Sequence, residues 1–268
     1  AVKMMQAKRG QPFFLGVGFF RPHTPYVAPR KYFEMYPLKD MRLPYAPKGD
    51  RDDIPTAAFA HNCPVPHYGL DELTLRKALQ AYYATISFVD AQVGRLMAAL
   101  ERLGLANNTI IVLWSDHGWH LGEKEHWAKR SLWEESTRVP LILAGPGIVQ
   151  GTSPRAVGLI DLYPTLSELC GLPKPPQKLE GRSLLPLLKN PKAKWPHAAL
   201  TTYHRNDHTL RTERWRYIRY ANGDEELYDH AKDSHEWDNL AKDEKFADVL
   251  KRFRGQLPKV NAADSPTR

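Results

Sequence analysis

Between positions 71 and 103, apolar residues fall at 75, 79, 82, 86, 89, 93, 96, 100 and 103, in alternating steps of four and three. That spacing holds one apolar stripe along a helix and predicts a single long amphipathic helix. Gly104 is placed to supply the left-handed turn that ends it, and residues 109–115 (TIIVLWS) then read as a buried, β-branched strand. A helix feeding a buried strand, with polar residues just past the strand's end, is the α/β arrangement in which sites form at the carboxyl edge of a sheet.

The rest of the chain fits around this unit. The opening residues read like the last turns of a helix without an N-cap, so the chain is expected to be a fragment of a longer protein. Residues 11–20 (QPFFLGVGFF) have the look of a fully buried strand. Residues 31–35 read as a short helical piece in a Pro-, Gly- and Asp-rich excursion, residues 140–144 as another strand, and residues 161–169 as a short helix. From 198 onward the pattern becomes a meander, with strands predicted over 201–204, 210–212, 215–220 and 225–228 and a closing helix over 243–257. The expected fold is α/β, with residues 1–190 forming part of a larger domain and residues 191–268 a small α+β domain.

Composition narrows the function classes. The 268 residues carry 38 Lys+Arg against 30 Asp+Glu, a net charge of +8, but the positive charges are mixed with acidic ones along the chain. A nucleic-acid partner is therefore not expected, and a modest attraction to anionic substrates such as sulfated sugars is. No run approaches the ~18 apolar residues of a membrane span. Two cysteines, Cys63 and Cys170, make neither a disulfide scaffold nor a Cys-rich zinc site.

The segment Trp114-Ser115-Asp116-His117-Gly118-Trp119-His120 carries the strongest chemical signal. A carboxylate and an imidazole side by side at a strand's end can reach one cation together, whereas the plainer alternative has Asp116 capping a following helix and His117 on a polar surface. Lys129, a short way on, has the point charge that holds a sulfate or phosphate oxygen, though most lysines are simply solvated. His23 sits between Pro22 and Pro25 on a stiffened loop, where it either donates a proton to a leaving oxygen or plays a structural part. The remaining histidines, His61 among them, are too many for one site. Asn107-Asn108-Thr109 matches a glycosylation sequon. There is no phosphate-binding Gly-Lys-Ser/Thr loop and no Gly-x-Ser-x-Gly elbow.

Taken together, Phe-Arg-Pro-His-Thr-Pro-Tyr (20–26), Ser-Asp-His-Gly-Trp-His-Leu-Gly-Glu (115–123), Trp-Ala-Lys (127–129), Arg-Val-Pro-Leu-Ile (138–142), Asp-Leu-Tyr-Pro-Thr-Leu (161–166), Gly-Arg-Ser-Leu-Leu-Pro-Leu-Leu (181–188), Arg-Thr-Glu-Arg-Trp-Arg-Tyr-Ile (211–218) and Glu-Leu-Tyr-Asp (226–229) resemble the later part of a type I sulfatase. Residues 28–43 and 90–96 look most like the iduronate-2-sulfatase branch.

The resemblance implies an alkaline-phosphatase-like mixed sheet flanked by helices, followed by a small domain with a four-stranded antiparallel sheet. It implies Ca²⁺ held in part by Asp116 and His117, with Lys129 and His23 binding sulfate and His23 protonating the leaving alcohol. The family's nucleophile is a formylglycine made from a Cys-x-Pro/Ala-x-Arg motif. Neither Cys63 nor Cys170 lies in one, so the nucleophile is expected on an upstream segment and this chain alone is expected to be inactive. The implied reaction is hydrolysis of sulfate esters of glycosaminoglycan uronates, by a protein that is secreted, periplasmic or lysosomal. The alternatives are phosphate mono- or diester hydrolysis on the same scaffold, or a catalytically silent fragment that binds anionic glycans.

Overall fold

The structure is a computed structural model and describes residues 1–60 and 62–263; His61 lies outside the described residues. Its helices are α1 (Val2–Lys8), α2 (Arg30–Glu34), α3 (Glu72–Arg102), α4 (Glu134–Thr137), α5 (Leu162–Leu169), α6 (Leu185–Lys189) and α7 (Ala247–Arg254). Its strands are β1 (Ile111–Trp114), β2 (His120–Leu121), β3 (Trp127–Ala128), β4 (Leu141–Ala144), β5 (Ala199–Thr202), β6 (His208–Arg211), β7 (Trp215–Arg219) and β8 (Glu225–Asp229). They form the pairs β1-β4 and β2-β3 and a four-stranded sheet, β5-β6-β7-β8. Among the described residues no helix is long and apolar enough to cross a membrane.

The chain divides into two compact units, the first being Ala1–Tyr45, Gly69–Val112 and Leu143–Pro146. Its axis is the predicted long helix. The Asp71 carboxylate caps α3 by accepting from the Thr74 amide at 3.0 Å and from its hydroxyl at 2.6 Å, satisfying a donor the first turn leaves open. Gly104 follows at φ +72°. Met5, Ala99 and Leu100 form a small buried core, and the excursion around α2 lies on α3, with the Tyr36 hydroxyl 2.6 Å from Ser87 Oγ and the Tyr32 and Phe88 rings 5.5 Å apart.

Two expectations fail. β1, expected to be buried, carries no buried residue, and its Trp114 is half exposed; the other is the first predicted strand. Residues 11–20 form no strand, and Phe14 is 90% exposed, with Phe19 and Phe20 exposed as well. The reason is physical: an apolar composition favours a buried strand, but a strand exists only where a neighbour accepts and donates its ladder hydrogen bonds.

The second unit comprises Ala46–Tyr68, Leu113–Ile142 and Gly147–Arg268. Its sheet is antiparallel throughout, with Leu210 opposite Tyr217 and Tyr217 opposite Leu227. Side chains alternate across it. Leu210, Trp215, Tyr217 and Leu227 pack against Leu250 and Phe253 of α7, whereas Ile218, Tyr220 and Tyr228 pack against Ile54, Phe59, Leu132 and Trp133. The expected antiparallel sheet with a closing helix is therefore present, with its strand limits shifted by about two residues and its helix shortened to eight.

Lys124 is buried beside that second core, 1% exposed. Its ammonium lies 3.6 Å from Asp50 Oδ1, donates to the Glu236 carbonyl and stands 5.1 Å from the Tyr228 ring centre, so charge, hydrogen bond and ring face together offset its lost hydration.

Candidate functional site

β1 ends at Trp114 and no helix follows. Residues 115–119 form a bend that leads into β2, so Asp116 does not serve as a helix cap. The Ser115 hydroxyl donates to the His117 carbonyl at 2.8 Å, and the His117 amide donates to Asp116 Oδ1 at 3.1 Å. Gly118 is obligatory here: its amide donates to the Ser136 carbonyl at 2.8 Å, and a Cβ on it would lie 1.9 Å from the Glu135 carbonyl oxygen. The bend is pressed flush against the backbone of α4, and no side chain fits between them.

The short hairpin of β2 and β3, in register at His120–Ala128 and Leu121–Trp127, turns the chain back so that Lys129 returns to the bend. Lys129 Nζ donates to His117 Nε2 at 2.8 Å and stands 5.9 Å from the Trp119 ring centre. The other ring nitrogen, Nδ1, lies 2.8 Å from the Gly118 carbonyl and must donate to it, which fixes the neutral tautomer and leaves the Nε2 lone pair toward Lys129. Asp116 Oδ2 is 3.7 Å from that same Nε2, and its side chain is 78% exposed.

These donors suit a cation. A carboxylate oxygen and an imidazole nitrogen 3.7 Å apart can both reach one ion at bond lengths of roughly 2.0–2.6 Å. A histidine whose far nitrogen is tied to a backbone carbonyl is also the usual arrangement of a metal-ligating imidazole. The structure thus brings Asp116, His117 and Lys129 together.

His23 is described within the first unit. It lies between the cis peptides Arg21–Pro22 and Thr24–Pro25, exposed, with its amide donating to the Phe20 carbonyl at 3.1 Å and its ring 5.1 Å from that of Phe20. Nδ1 donates to the Thr24 carbonyl at 2.8 Å, which makes Nε2 the basic nitrogen.

Sequence reasoning missed a buried charge network behind the bend. Arg216, 1% exposed, donates from Nη1 to the Leu132 carbonyl and to Thr209 Oγ1, each at 3.0 Å, and its other guanidinium nitrogens bond Glu134 and Glu236. Glu236 in turn accepts from the Glu134 amide at 3.0 Å and from His230 Nε2 at 2.8 Å. Arg211 reaches Glu134 Oε2 at 3.0 Å and His230 Nδ1 at 2.8 Å. Glu134, His230 and Glu236 converge closely enough to hold a metal, but the guanidiniums already supply the positive charge, so the cluster is an ion-pair network.

Burial alone would raise the Glu236 carboxyl; Arg216 and His230 outweigh it and hold the group down at about 2. Glu135 has no such partner. Burial, with Glu236 and Glu123 nearby, pushes its carboxyl up to about 8. The only sequence-level trace of the network is a charged residue, Arg216, at an inward position of a strand.

Comparison with known proteins identifies the family and the fold. The fold is that of the alkaline-phosphatase-like sulfatases, mixed helix and sheet with a four-stranded antiparallel sheet and its helix in the later part of the chain. The sulfatase profile matches residues 1–172, and the profile described as N-sulphoglucosamine sulphohydrolase, C-terminal, matches residues 122–263. A sulfatase of Formosa agariphila is 41% identical over 257 residues, covering 94% of this chain and 50% of that protein. Mouse iduronate 2-sulfatase is 35% identical, covering 66% of this chain and 39% of its own length. Among solved structures, a phosphonate monoester hydrolase from Silicibacter pomeroyi aligns with a TM-score of 0.80 at 26% identity, over 95% of this chain and 57% of that one. The chain belongs to the sulfatase family, and it spans about half the length of the relatives it matches.

Proposed function

We propose that the full-length protein hydrolyses sulfate esters, with glycosaminoglycan uronates sulfated in the manner of iduronate 2-sulfate as the substrate class. The observation that carries this reading is the convergence of Asp116, His117 and Lys129, with an ammonium 2.8 Å from an imidazole that borders a carboxylate. In this reading Asp116 and His117 would hold part of a Ca²⁺ site, His117 giving the ion the Nε2 lone pair that Lys129 takes in this structure, and the ion when bound would supply positive charge for sulfate oxygens. Lys129 adds a second positive charge and binds a sulfate oxygen. His23, with Nε2 as its basic nitrogen, takes a proton there and gives it to the departing sugar oxygen. Neither cysteine of this chain lies in a formylglycine-directing motif, so the reading takes the nucleophile from residues outside these 268. A secreted, periplasmic or lysosomal setting goes with such a substrate.

The test is sulfate release by the full-length protein from an oligosaccharide ending in a 2-O-sulfated uronate, with and without Asp116→Ala. We expect Asp116→Ala to lower kcat/KM more than 100-fold, the loss typical of a group that stabilises transition-state charge. Retention of activity within threefold would overturn the assignment. The structural likeness to a phosphonate monoester hydrolase favours one rival, hydrolysis of phosphonate or phosphate esters, which the same assay decides by the ratio of kcat/KM on matched sulfate and phosphonate esters.

A further inference from the structure

The backbone that carries Lys129 is held in an uncommon shape. The residues on either side of it, Ala128 at φ +70° and Arg130 at φ +75°, are both left-handed and neither is glycine; side chains with a Cβ rarely adopt that region, and such residues persist only where the surroundings enforce them. The β2–β3 pairing ends at Ala128, so the sheet does not fix Lys129 itself.

The enforcing group is Asn62. Its side-chain nitrogen donates to the Trp127 carbonyl at 3.0 Å and to the Lys129 carbonyl, and lies 3.1 Å from His126 Nε2. Burial keeps the His126 imidazole neutral, its pKa pushed down to about 4, and the two hydrogens of the Asn62 nitrogen go to the two carbonyls. The Asn62 oxygen accepts from the Tyr68 hydroxyl, which settles which way round the amide sits. One carboxamide thus gathers the carbonyls immediately before Ala128 and at Lys129 onto a single nitrogen, more than sixty residues away along the chain.

We propose that Asn62 is a positioning residue: its carboxamide fastens the Trp127 and Lys129 carbonyls, keeps the left-handed turns that bracket Lys129, and so holds the Lys129 ammonium beside His117 where a substrate oxyanion is bound. This rests on the reading of Lys129 as the oxyanion-binding amine. Leucine has nearly the shape of asparagine and none of its donors, so Asn62→Leu removes the clamp with little change in volume.

The experiment is a double-mutant cycle in the full-length protein, with KM for a sulfate ester, inhibition by inorganic sulfate, and melting temperature as readouts. Lys129→Ala is expected to raise both KM and the sulfate inhibition constant by about 30-fold. Asn62→Leu is expected to raise both by about tenfold, and the double variant to be no worse than Lys129→Ala, because Asn62 acts through Lys129. Wild-type constants in a folded Asn62→Leu, or losses that multiply in the double variant, overturn the proposal. Unchanged constants in Lys129→Ala overturn the reading on which it rests, an outcome distinct from an impaired Lys129→Ala beside a normal Asn62→Leu. Should Asn62→Leu fail to fold, Tyr68→Phe removes only the hydroxyl that orients the amide. An approximately threefold rise in both constants supports the clamp, and unchanged constants overturn it.

Discussion

The four-stranded sheet is less apolar in composition than residues 11–20, yet the two have opposite fates. In the sheet, every strand from β5 to β8 has a neighbour, both faces of β6 to β8 are covered, and Tyr217, Ile218, Leu227 and Tyr228 are wholly buried. Residues 11–20, with four phenylalanines in ten positions, form no ladder and leave Phe14 and Phe20 largely in solvent. Hydrophobicity supplies the drive to be buried, but pairing and a covering layer decide whether burial happens. The sheet also tolerates what the segment lacks any occasion for, a fully buried arginine, because its neighbours bring two carboxylates to it.

The sharpest way to break this contrast is at Arg216. Arg216→Ala leaves Glu134 and Glu236 buried without their main partner, and we expect it to lower unfolding stability by about 3–5 kcal/mol, measured by denaturant titration. A loss below 1 kcal/mol would mean that the sheet does not depend on the network.

Acid should act on the same region with a smaller effect. Burial works against the charged forms of Glu225 and Glu236, but Arg254 and Tyr217 on the one and Arg216 and His230 on the other bring both down to about 2, from 4.5 for an ordinary glutamate. A depressed carboxyl contributes stability that is complete above 4.5 and lost as pH falls toward 2. Melting temperature should therefore drop steeply between pH 4.5 and 2, and Glu236→Gln should make that drop shallower. Glu135 has the opposite sign: with its carboxyl raised to about 8, its contribution is complete below 4.5 and is lost as pH rises through 8. Glu135→Gln should flatten the neutral-to-alkaline limb.

The smallest expected effect is at Phe14. Phe14→Ala in this 268-residue chain should change stability by no more than about 0.5 kcal/mol, as for other exposed positions. The same substitution in the full-length protein sharpens the comparison, since a cost of several kcal/mol there would show that another surface covers the ring.

Much of this was legible in the sequence, for identifiable reasons. The stripe from Leu75 to Leu103, the capping Asp71 and the closing Gly104 are local signals, and α3 followed them. Asp116 and His117 were legible from their place past a strand's end, and Lys129 only through the sulfatase resemblance; the short β2–β3 hairpin that returns Lys129 to the bend was not foreseen. Asn62 was not legible: nothing in Asn-Cys-Pro marks it, and its role exists only because the 46–68 stretch folds beside the 126–129 backbone within one unit. The Arg216 network was hidden for the same reason, its members being drawn from α4, β7 and the loop after β8. Residues 11–20 misled because a strand's partners are not written in its own sequence.

Buried Lys124 gives this fold a built-in chemical clock. An amine-acylating reagent marks exposed lysines at once, but reaches Lys124 only when the surface formed by Trp133, Tyr228 and Asp50 comes apart. The rate at which that one amine gains mass in otherwise native protein therefore counts openings of the core around Trp133 and Tyr228, with no label added by design.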